Sequence, residues 1–249
     1  MGRWVVILLS LLAVAGCTTP VVNPQSVNTV IVVPGLGGDG GNGGVYAQIV
    51  HGLRDAGCND RLQIFDWGCG WLLFPVTLSD SGLHHDTERK LAAKIIQWRK
   101  DHPGSRIVLI GHSAGAGVIL GAAARLDDDA QVGPIILLAP ALSPDFDLRP
   151  ALAHANVIHV FYSPEDWFWQ GFGSNIFGGY DGVHRDGAGR KGFTLTQLTP
   201  DQKARVIQHP WQEQWKSLGE EGGHFDWMSE KFVEQVIAPL VNSGAPQGF

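Results

Sequence analysis

The chain has 249 residues, with 24 acidic and 18 basic side chains and a formal net charge of −6. Hydrophobic residues make up 44% of the sequence. A chain of this length and composition can form one domain with a buried hydrophobic core. The acidic balance and the lack of any basic run argue against a nucleic-acid partner.

The N-terminus is predicted to be a signal peptide over residues 1–16. One basic residue, Arg3, precedes an apolar run that ends at Ala15. That run is shorter than the roughly 20 residues that a membrane-spanning helix needs, so a cleaved leader is favoured over a transmembrane anchor.

The segment VAGC at residues 14–17 resembles a bacterial lipobox, in which the cysteine is diacylated on sulfur and becomes the mature N-terminus. The resemblance implies an exported lipoprotein, held by Cys17 on the periplasmic or cell-surface face of a membrane. Residues 17–27 would then be the lipidated cysteine and a short polar tether. An ordinary cleaved signal peptide without lipid is the alternative.

A glycine-rich loop, PGLGGDGGNGG at residues 34–44, follows the first predicted strand. Its spacing matches G-x-G-x-x-G, which binds a dinucleotide pyrophosphate, and Asp66 lies near where such a fold places the ribose ligand. However, an exported protein has little access to NAD or ATP. We therefore predict no cofactor, and the loop needs another role.

Apolar runs alternate with helical patterns along the rest of the chain. Near-continuous hydrophobic strands separated by helices are typical of a parallel sheet covered on both faces. We therefore predict that residues 28–249 form a single α/β domain. The predicted strands are Thr29–Val33, Leu62–Asp66, Ile107–Ile110, Ile135–Ala139, Val157–Phe161 and Arg205–Gln208, and the predicted helices are Val45–Ala56, Thr87–Lys100, Ala114–Leu126 and Asp226–Val241.

The strongest catalytic motif is GHSAG at residues 111–115, which lies between the third predicted strand and a helix of small residues. A sharp strand-to-helix turn of the G-x-S-x-G type exposes the serine hydroxyl, and its glycines remove side chains that would clash. A chance turn is the alternative in a chain with 33 glycines. The context favours Ser113 as a nucleophile.

A nucleophilic serine needs a base and an acid that orients the base. His224 lies in a glycine-flanked loop before the last predicted helix, and Asp166 follows the fifth predicted strand. We predict that His224 is the base and that Asp166 is the acid. Three other carboxylates near strand ends are alternatives for the acid: Glu165, Asp145 and Asp147.

The order Ser113, Asp166, His224 resembles that of α/β-hydrolases, over roughly residues 28 to 242. The resemblance implies an α/β-hydrolase fold, with a mostly parallel sheet and helices on both faces, in a compact form that lacks the family's leading strands. It also implies that the glycine loop supplies part of an oxyanion hole, with the backbone N–H groups of Leu36 and Ala114 as donors. A flexible turn without a role is the alternative for this loop.

The predicted function is therefore hydrolysis of carboxylic esters, in small molecules or lipids, through an acyl-enzyme and without a metal. Thioesterases, peptidases and acyltransferases use the same triad, and leaving group and acceptor are selected by pocket shape. A non-catalytic binding protein of the same fold is a further alternative. The sequence does not indicate an oligomeric state.

Two aromatic segments, residues 67–75 and 167–180, follow predicted strand ends and are expected to border the serine. Either they form an acyl-binding wall or partial lid, or they only cover the edge of the sheet.

Cysteine and histidine residues elsewhere suggest no metal site. Cys58 and Cys69 either form a disulfide, which an oxidising compartment permits, or remain two buried thiols. His84 and His85 are adjacent, so their side chains point in different directions. The next residues, Asp86 or Thr87, are expected to cap a helix.

Overall fold

Six parallel strands form one sheet in this computed structural model, which describes residues 22–38, 44–67, 80–166, 179–183 and 185–243. The strands are β1 Thr29–Val33, β2 Arg61–Ile64, β3 Ile107–His112, β4 Ile135–Leu138, β5 Ile158–Tyr162 and β6 Val206–Pro210. Their order across the sheet is β2-β1-β3-β4-β5-β6, and every neighbouring pair is parallel.

Helices connect the strands. The α-helices of the described residues are α1 Ala47–Asp55, α2 Ser81–Asp101, α3 Gly115–Ala123, α4 Arg149–Leu152, α5 Ala188–Lys191, α6 Pro200–Ala204, α7 Glu230–Phe232 and α8 Ala238–Ser243. Two 3₁₀ segments, Glu213–Leu218 and Asp226–Met228, precede α7, and a π-helical turn, Val233–Ile237, joins α7 to α8. No helix among the described residues is both long enough and apolar enough to cross a membrane.

The sheet is buried on both faces because alternate strand residues point in opposite directions. In β1, Ile31 and Val33 pack in one apolar cluster with residues of α2 and α3. Val30 and Val32 pack in a second cluster with α1 and the C-terminal helices. All five residues of β1 are buried, as expected for a parallel strand that is covered on both sides. The predicted α/β-hydrolase fold is confirmed.

The last predicted helix, Asp226–Val241, is not continuous. The chain is extended at Ser229, with ψ 128°, between the second 3₁₀ segment and α7. The Ser229 hydroxyl donates to the Leu218 carbonyl oxygen at 2.6 Å. Further on, Pro239 has no N–H and its ring would clash with the carbonyl four residues earlier, so the backbone widens into the π-helical turn just before it.

Helix α2 begins earlier than predicted. The carboxylate of Asp80, not that of Asp86 or the hydroxyl of Thr87, caps it by accepting the Leu83 N–H at 3.0 Å. His84 to Thr87 are therefore inside the helix, where the pattern had suggested its start. The error arose because the first turn of α2 carries polar residues and shows no apolar periodicity.

Several predicted features lie outside the described residues. They are the leader with Cys17 and the start of the tether (residues 1–21), residues 39–43 of the glycine loop, Cys69, and the aromatic stretches 68–75 and 167–178. The Cys58 side chain is buried. The division into leader, tether and domain, and the pairing of Cys58 with Cys69, stay predictions.

Candidate active site

The predicted site residues converge at the carboxyl edge of the sheet, where parallel α/β sheets bind their ligands. Ser113 directly follows β3, and Asp166 lies in the turn after β5, where its N–H donates to the Ser163 carbonyl oxygen. His224 approaches from the loop between the two 3₁₀ segments. The glycine loop after β1 reaches the same edge.

Ser113 occupies a strained turn between β3 and α3. Its φ angle is +56°, in the left-handed region that L-residues other than asparagine and aspartate rarely enter. Such a conformation costs about 1–3 kcal/mol and persists only where the surrounding structure imposes it. Gly115 is part of that surrounding structure, because a side chain there would collide with the carbonyl oxygens of Val33 and Pro34. The two glycine-containing turns therefore pack directly on each other.

Ser113, His224 and Asp166 form one hydrogen-bonded chain. The Nε2 atom of His224 lies 3.0 Å from the Ser113 hydroxyl, and its Nδ1 atom lies 2.6 Å from Asp166 Oδ2. The three residues are 9%, 7% and 2% exposed, in the order Ser113, His224, Asp166. A carboxylate can only accept, so Nδ1 carries the proton and Nε2 has a lone pair toward the serine. This arrangement can take the proton of the hydroxyl as the oxygen attacks.

The alternative acids have other partners. Asp145 pairs with Arg185 at 2.7 Å, and Asp147 pairs with Arg149 at 2.8 Å. The hydrogen bonds from these arginines lower the pKa of each carboxyl group from its usual value. Glu165 lies beside the His224 loop, where its Cβ faces Gly222. Among the described carboxylates, Asp166 is the one that contacts the His224 ring.

The loop that carries His224 packs on the loop that carries Asp166. Gly222 has a φ of +95°, and a Cβ there would lie 3.0 Å from both the Ser163 hydroxyl and the Glu165 Cβ. Ser163 is fully buried, and its hydroxyl oxygen accepts the Glu165 N–H at 3.1 Å. A side chain at Gly222 would therefore push the two loops apart. In the sequence, this requirement is visible only as the glycines that flank His224.

The N–H groups of Leu36 and Ala114 face no hydrogen-bond acceptor within the described part of the chain. Gly35, next to Leu36, is close to the elbow: its Cβ position lies 3.2 Å from the Ser113 Cβ. Ala114 follows Ser113 directly and precedes the first residue of α3. The backbone on either side of these two N–H groups is thus close to Ser113: Gly35 packs on the serine, and Ala114 is its neighbour in the chain.

The described ends of the two aromatic segments lie side by side. The Trp67 indole N–H donates to the Pro34 carbonyl oxygen at 2.8 Å, at the base of the glycine loop. The Trp67 ring meets the Tyr180 ring edge-on, with centroids 6.2 Å apart. The Tyr180 hydroxyl donates to buried Glu88 at 2.9 Å, and its ring stacks on His84. These contacts place Trp67 beside the start of the glycine loop and Tyr180 against Trp67.

Glu220 is a fully buried carboxyl group in the His224 loop that the sequence analysis did not single out. Its Oε1 accepts the Gly222 N–H at 3.1 Å, and its Oε2 has no partner among the described residues. Burial is the main cause that raises the Glu220 pKa to about 8, and the negative charge of Asp226 adds to it. The group is therefore mainly protonated at neutral pH.

We expect Glu220 to make the folded state less stable as the pH rises. The folded pKa of about 8 exceeds the usual glutamate pKa of 4.5, so between these values the folded protein holds a proton that the unfolded chain releases. The stabilisation of the folded state by this proton is fully present below pH 4.5 and is lost as the pH approaches 8. Glu220→Gln should remove this loss, which denaturant unfolding at a series of pH values measures.

Exposed Glu221 provides the matched control for that experiment. Glu221→Gln should keep the wild-type pH dependence of the free energy of unfolding, because the Glu221 side chain is exposed to solvent. If Glu220→Gln and the wild type show the same dependence, the carboxyl is ionised in the folded protein.

Solved structures of similar fold include three enzymes. Esterase PE8 shares 13% identity at a TM-score of 0.55, covering 92% of this chain and 99% of that one. An α/β serine hydrolase without lid from Xanthomonas campestris shares 16% identity at a TM-score of 0.52, covering 93% of this chain and 88% of that one. Dienelactone hydrolase from Anabaena variabilis shares 13% identity at a TM-score of 0.50, covering 89% of this chain and 88% of that one. At such identities the likeness establishes the fold.

The family is established by a separate comparison. No curated protein matches the sequence. Residues 30–239 match the model described as the Alpha/beta hydrolase family, and this range runs from β1 to α8. Since the match spans most of the chain and the sheet and helices have the family's architecture, the protein belongs to the α/β-hydrolase family.

Proposed function

We propose that the protein is a serine hydrolase that cleaves carboxylic esters. The observation that carries the proposal is the hydrogen-bonded chain from Ser113 through His224 to Asp166, with the serine held in a strained turn at the carboxyl edge of the sheet. Esterase PE8, which shares the fold, has that activity in its name, and this supports ester cleavage over the other reactions of the same triad.

In the proposed reaction, the Ser113 oxygen attacks the acyl carbon while His224 Nε2 takes the hydroxyl proton. The tetrahedral intermediate collapses, the C–O bond to the alcohol breaks, and His224 returns the proton to the leaving oxygen. Water then attacks the acyl-enzyme with His224 as base, which releases the acid and regenerates the serine. Asp166 orients the imidazole and stabilises it while it is positively charged.

The negative oxygen of the intermediate needs donors, and we assign the N–H groups of Leu36 and Ala114 to this role. Leu36 follows Gly35, which packs on Ser113, Ala114 follows Ser113 directly, and neither N–H has an acceptor within the described ranges. One such donor contributes about 10²–10³-fold to kcat in a serine hydrolase.

Phe225 favours an ester with an apolar group next to the reacting bond. Its ring lies 5.1 Å from the His224 ring, centroid to centroid, and the residue is 38% exposed. A large apolar side chain that stays exposed beside a catalytic base offers a surface to an acyl or alcohol chain. Small-molecule and lipid esters both carry such groups.

The proposal is tested with p-nitrophenyl esters of increasing acyl length, measured beside thioesters, peptides and a fluorophosphonate probe. We expect ester turnover, with a probe adduct on the peptide that contains Ser113. A preference for thioesters or peptides would move the protein to another reaction of the same triad. A folded protein that neither reacts with the probe nor turns over any substrate would be a binding protein.

We further propose that the protein is exported and anchored in a membrane through lipid on Cys17, because residues 14–17 have the lipobox pattern. More than one lipid chain gives stable anchoring. In a bacterial host, the wild type should incorporate radiolabelled palmitate and sediment with membranes, whereas Cys17→Ala should do neither. Cys58→Ala is the matched cysteine control and should keep the label. Equal labelling of Cys17→Ala and wild type would exclude the anchor.

A further inference from the structure

Two buried side chains connect three loops of the site, and the proposed reaction uses neither of them. The Tyr46 hydroxyl, just before α1, accepts the Gly35 N–H at 2.8 Å. The same hydroxyl lies 2.8 Å from Nδ1 of His112, the residue before Ser113. Nε2 of His112 lies 2.7 Å from the carbonyl oxygen of His224. The chain of contacts thus runs from the glycine loop through the serine turn to the His224 loop.

The direction of each hydrogen bond in this series follows from its last acceptor, the His224 carbonyl oxygen. The His224 carbonyl oxygen can only accept, so His112 carries its proton on Nε2. A neutral imidazole then has a lone pair on Nδ1, which accepts the Tyr46 O–H. The phenol oxygen in turn accepts the Gly35 N–H. Burial lowers the His112 pKa to about 3, so the ring is neutral at the pH at which hydrolases work.

We propose that Tyr46 and His112 are positioning residues that hold the glycine loop and the His224 backbone in place around Ser113. The inference rests on the proposed hydrolase function. Because Tyr46 accepts the Gly35 N–H, that group is not available to substrate, and the next N–H of the loop, on Leu36, becomes the donor beside Ser113. Because His112 holds the His224 carbonyl oxygen, the imidazole is anchored through its own backbone as well as through Asp166.

The alternative is that Tyr46 and His112 only fill space in the core, and this role can be tested separately from positioning. Tyr46 is 3% exposed and His112 is 1% exposed, so each also fills space in the core. A role in packing alone would be kept by a variant that keeps the ring. A role in positioning would be lost with the hydroxyl, because displacement of a catalytic group by about 1 Å lowers the rate by roughly 10²-fold.

Tyr46→Phe separates the two roles, because it keeps the ring and removes the hydroxyl. We expect kcat for a p-nitrophenyl ester to fall by about 10–100-fold while KM changes less than about threefold. Ile49→Val, a buried change in α1, the helix that directly follows Tyr46, is the matched control and should keep the wild-type kcat with a similar loss of stability. An equal fall in both variants, or none in folded Tyr46→Phe, would overturn the inference.

His112 offers a rescue experiment. His112→Gln can still donate to the His224 carbonyl oxygen and accept from Tyr46, whereas His112→Leu can do neither. We expect His112→Gln to keep at least about tenfold more of the wild-type kcat than His112→Leu. Equal kcat in the two folded variants would show that His112 only fills space.

Nuclear magnetic resonance tests the hydrogen bonds without any activity. Long-range ¹H–¹⁵N correlation spectra of the wild type should show His112 neutral with its proton on Nε2 at pH 6. A proton on Nδ1, or a charged ring, would overturn the inference even if the protein turns over no ester. Failure of the hydrolase proposal is recognised separately, by wild-type activity in Ser113→Ala.

Discussion

Ser113→Ala is expected to lower kcat for ester hydrolysis by roughly 10⁶-fold, since the loss of a serine nucleophile has that scale in a hydrolase that uses a triad. The substitution removes the one oxygen that lies 3.0 Å from His224 Nε2, so no acyl-enzyme can form. The fold should survive, because alanine fits the space of serine. The measurement is kcat on the ester that the wild type prefers, with fluorophosphonate labelling of both proteins.

The control for this variant is a second buried serine near the opposite end of β3. Ser105 precedes the amino end of β3, opposite the edge that carries Ser113, and its hydroxyl has no partner among the described residues. Ser105→Ala should keep both activity and labelling. If Ser113→Ala retains activity, or the probe maps to another residue, the nucleophile lies elsewhere.

Asp166→Asn is expected to lower kcat by about 10⁴-fold while the fold survives. Asparagine keeps the shape of the side chain but loses the charge that stabilises the imidazolium. Its amide N–H can also donate to Nδ1, which favours the tautomer with the proton on Nε2. In that tautomer Nε2 no longer accepts the Ser113 proton. Steady-state kinetics with circular dichroism as a check on folding measures the effect.

Three matched variants identify the acid: Glu165→Gln, Asp145→Asn and Asp147→Asn. Asp145 and Asp147 pair with arginines, so their variants should lose little kcat. Glu165→Gln changes a side chain that contacts the His224 loop, and it should lower kcat far less than Asp166→Asn does. A collapse in Asp145→Asn or Asp147→Asn, with Asp166→Asn nearly intact, would place the acid after β4.

The sequence by itself determined the class of fold. A strand that is buried on both faces must be apolar at nearly every position, and β1 was therefore recognised with its observed bounds, Thr29–Val33. The G-x-S-x-G motif is local as well, since its glycines are required by the sharp turn at Ser113. Local patterns were less informative at Asp80 and Ser229, where a single side chain or an extended residue sets a helix boundary.

Only the tertiary structure decided which distant groups meet. Asp166 and three other carboxylates follow strand ends in the sequence, and in the structure Asp166 meets His224 where the Gly222 backbone packs closely on Ser163. The Tyr46 and His112 contacts likewise join residues that are 66 positions apart. Such pairings depend on the order of strands in the sheet and on how closely loops pack at its edge, which no local pattern of residues encodes.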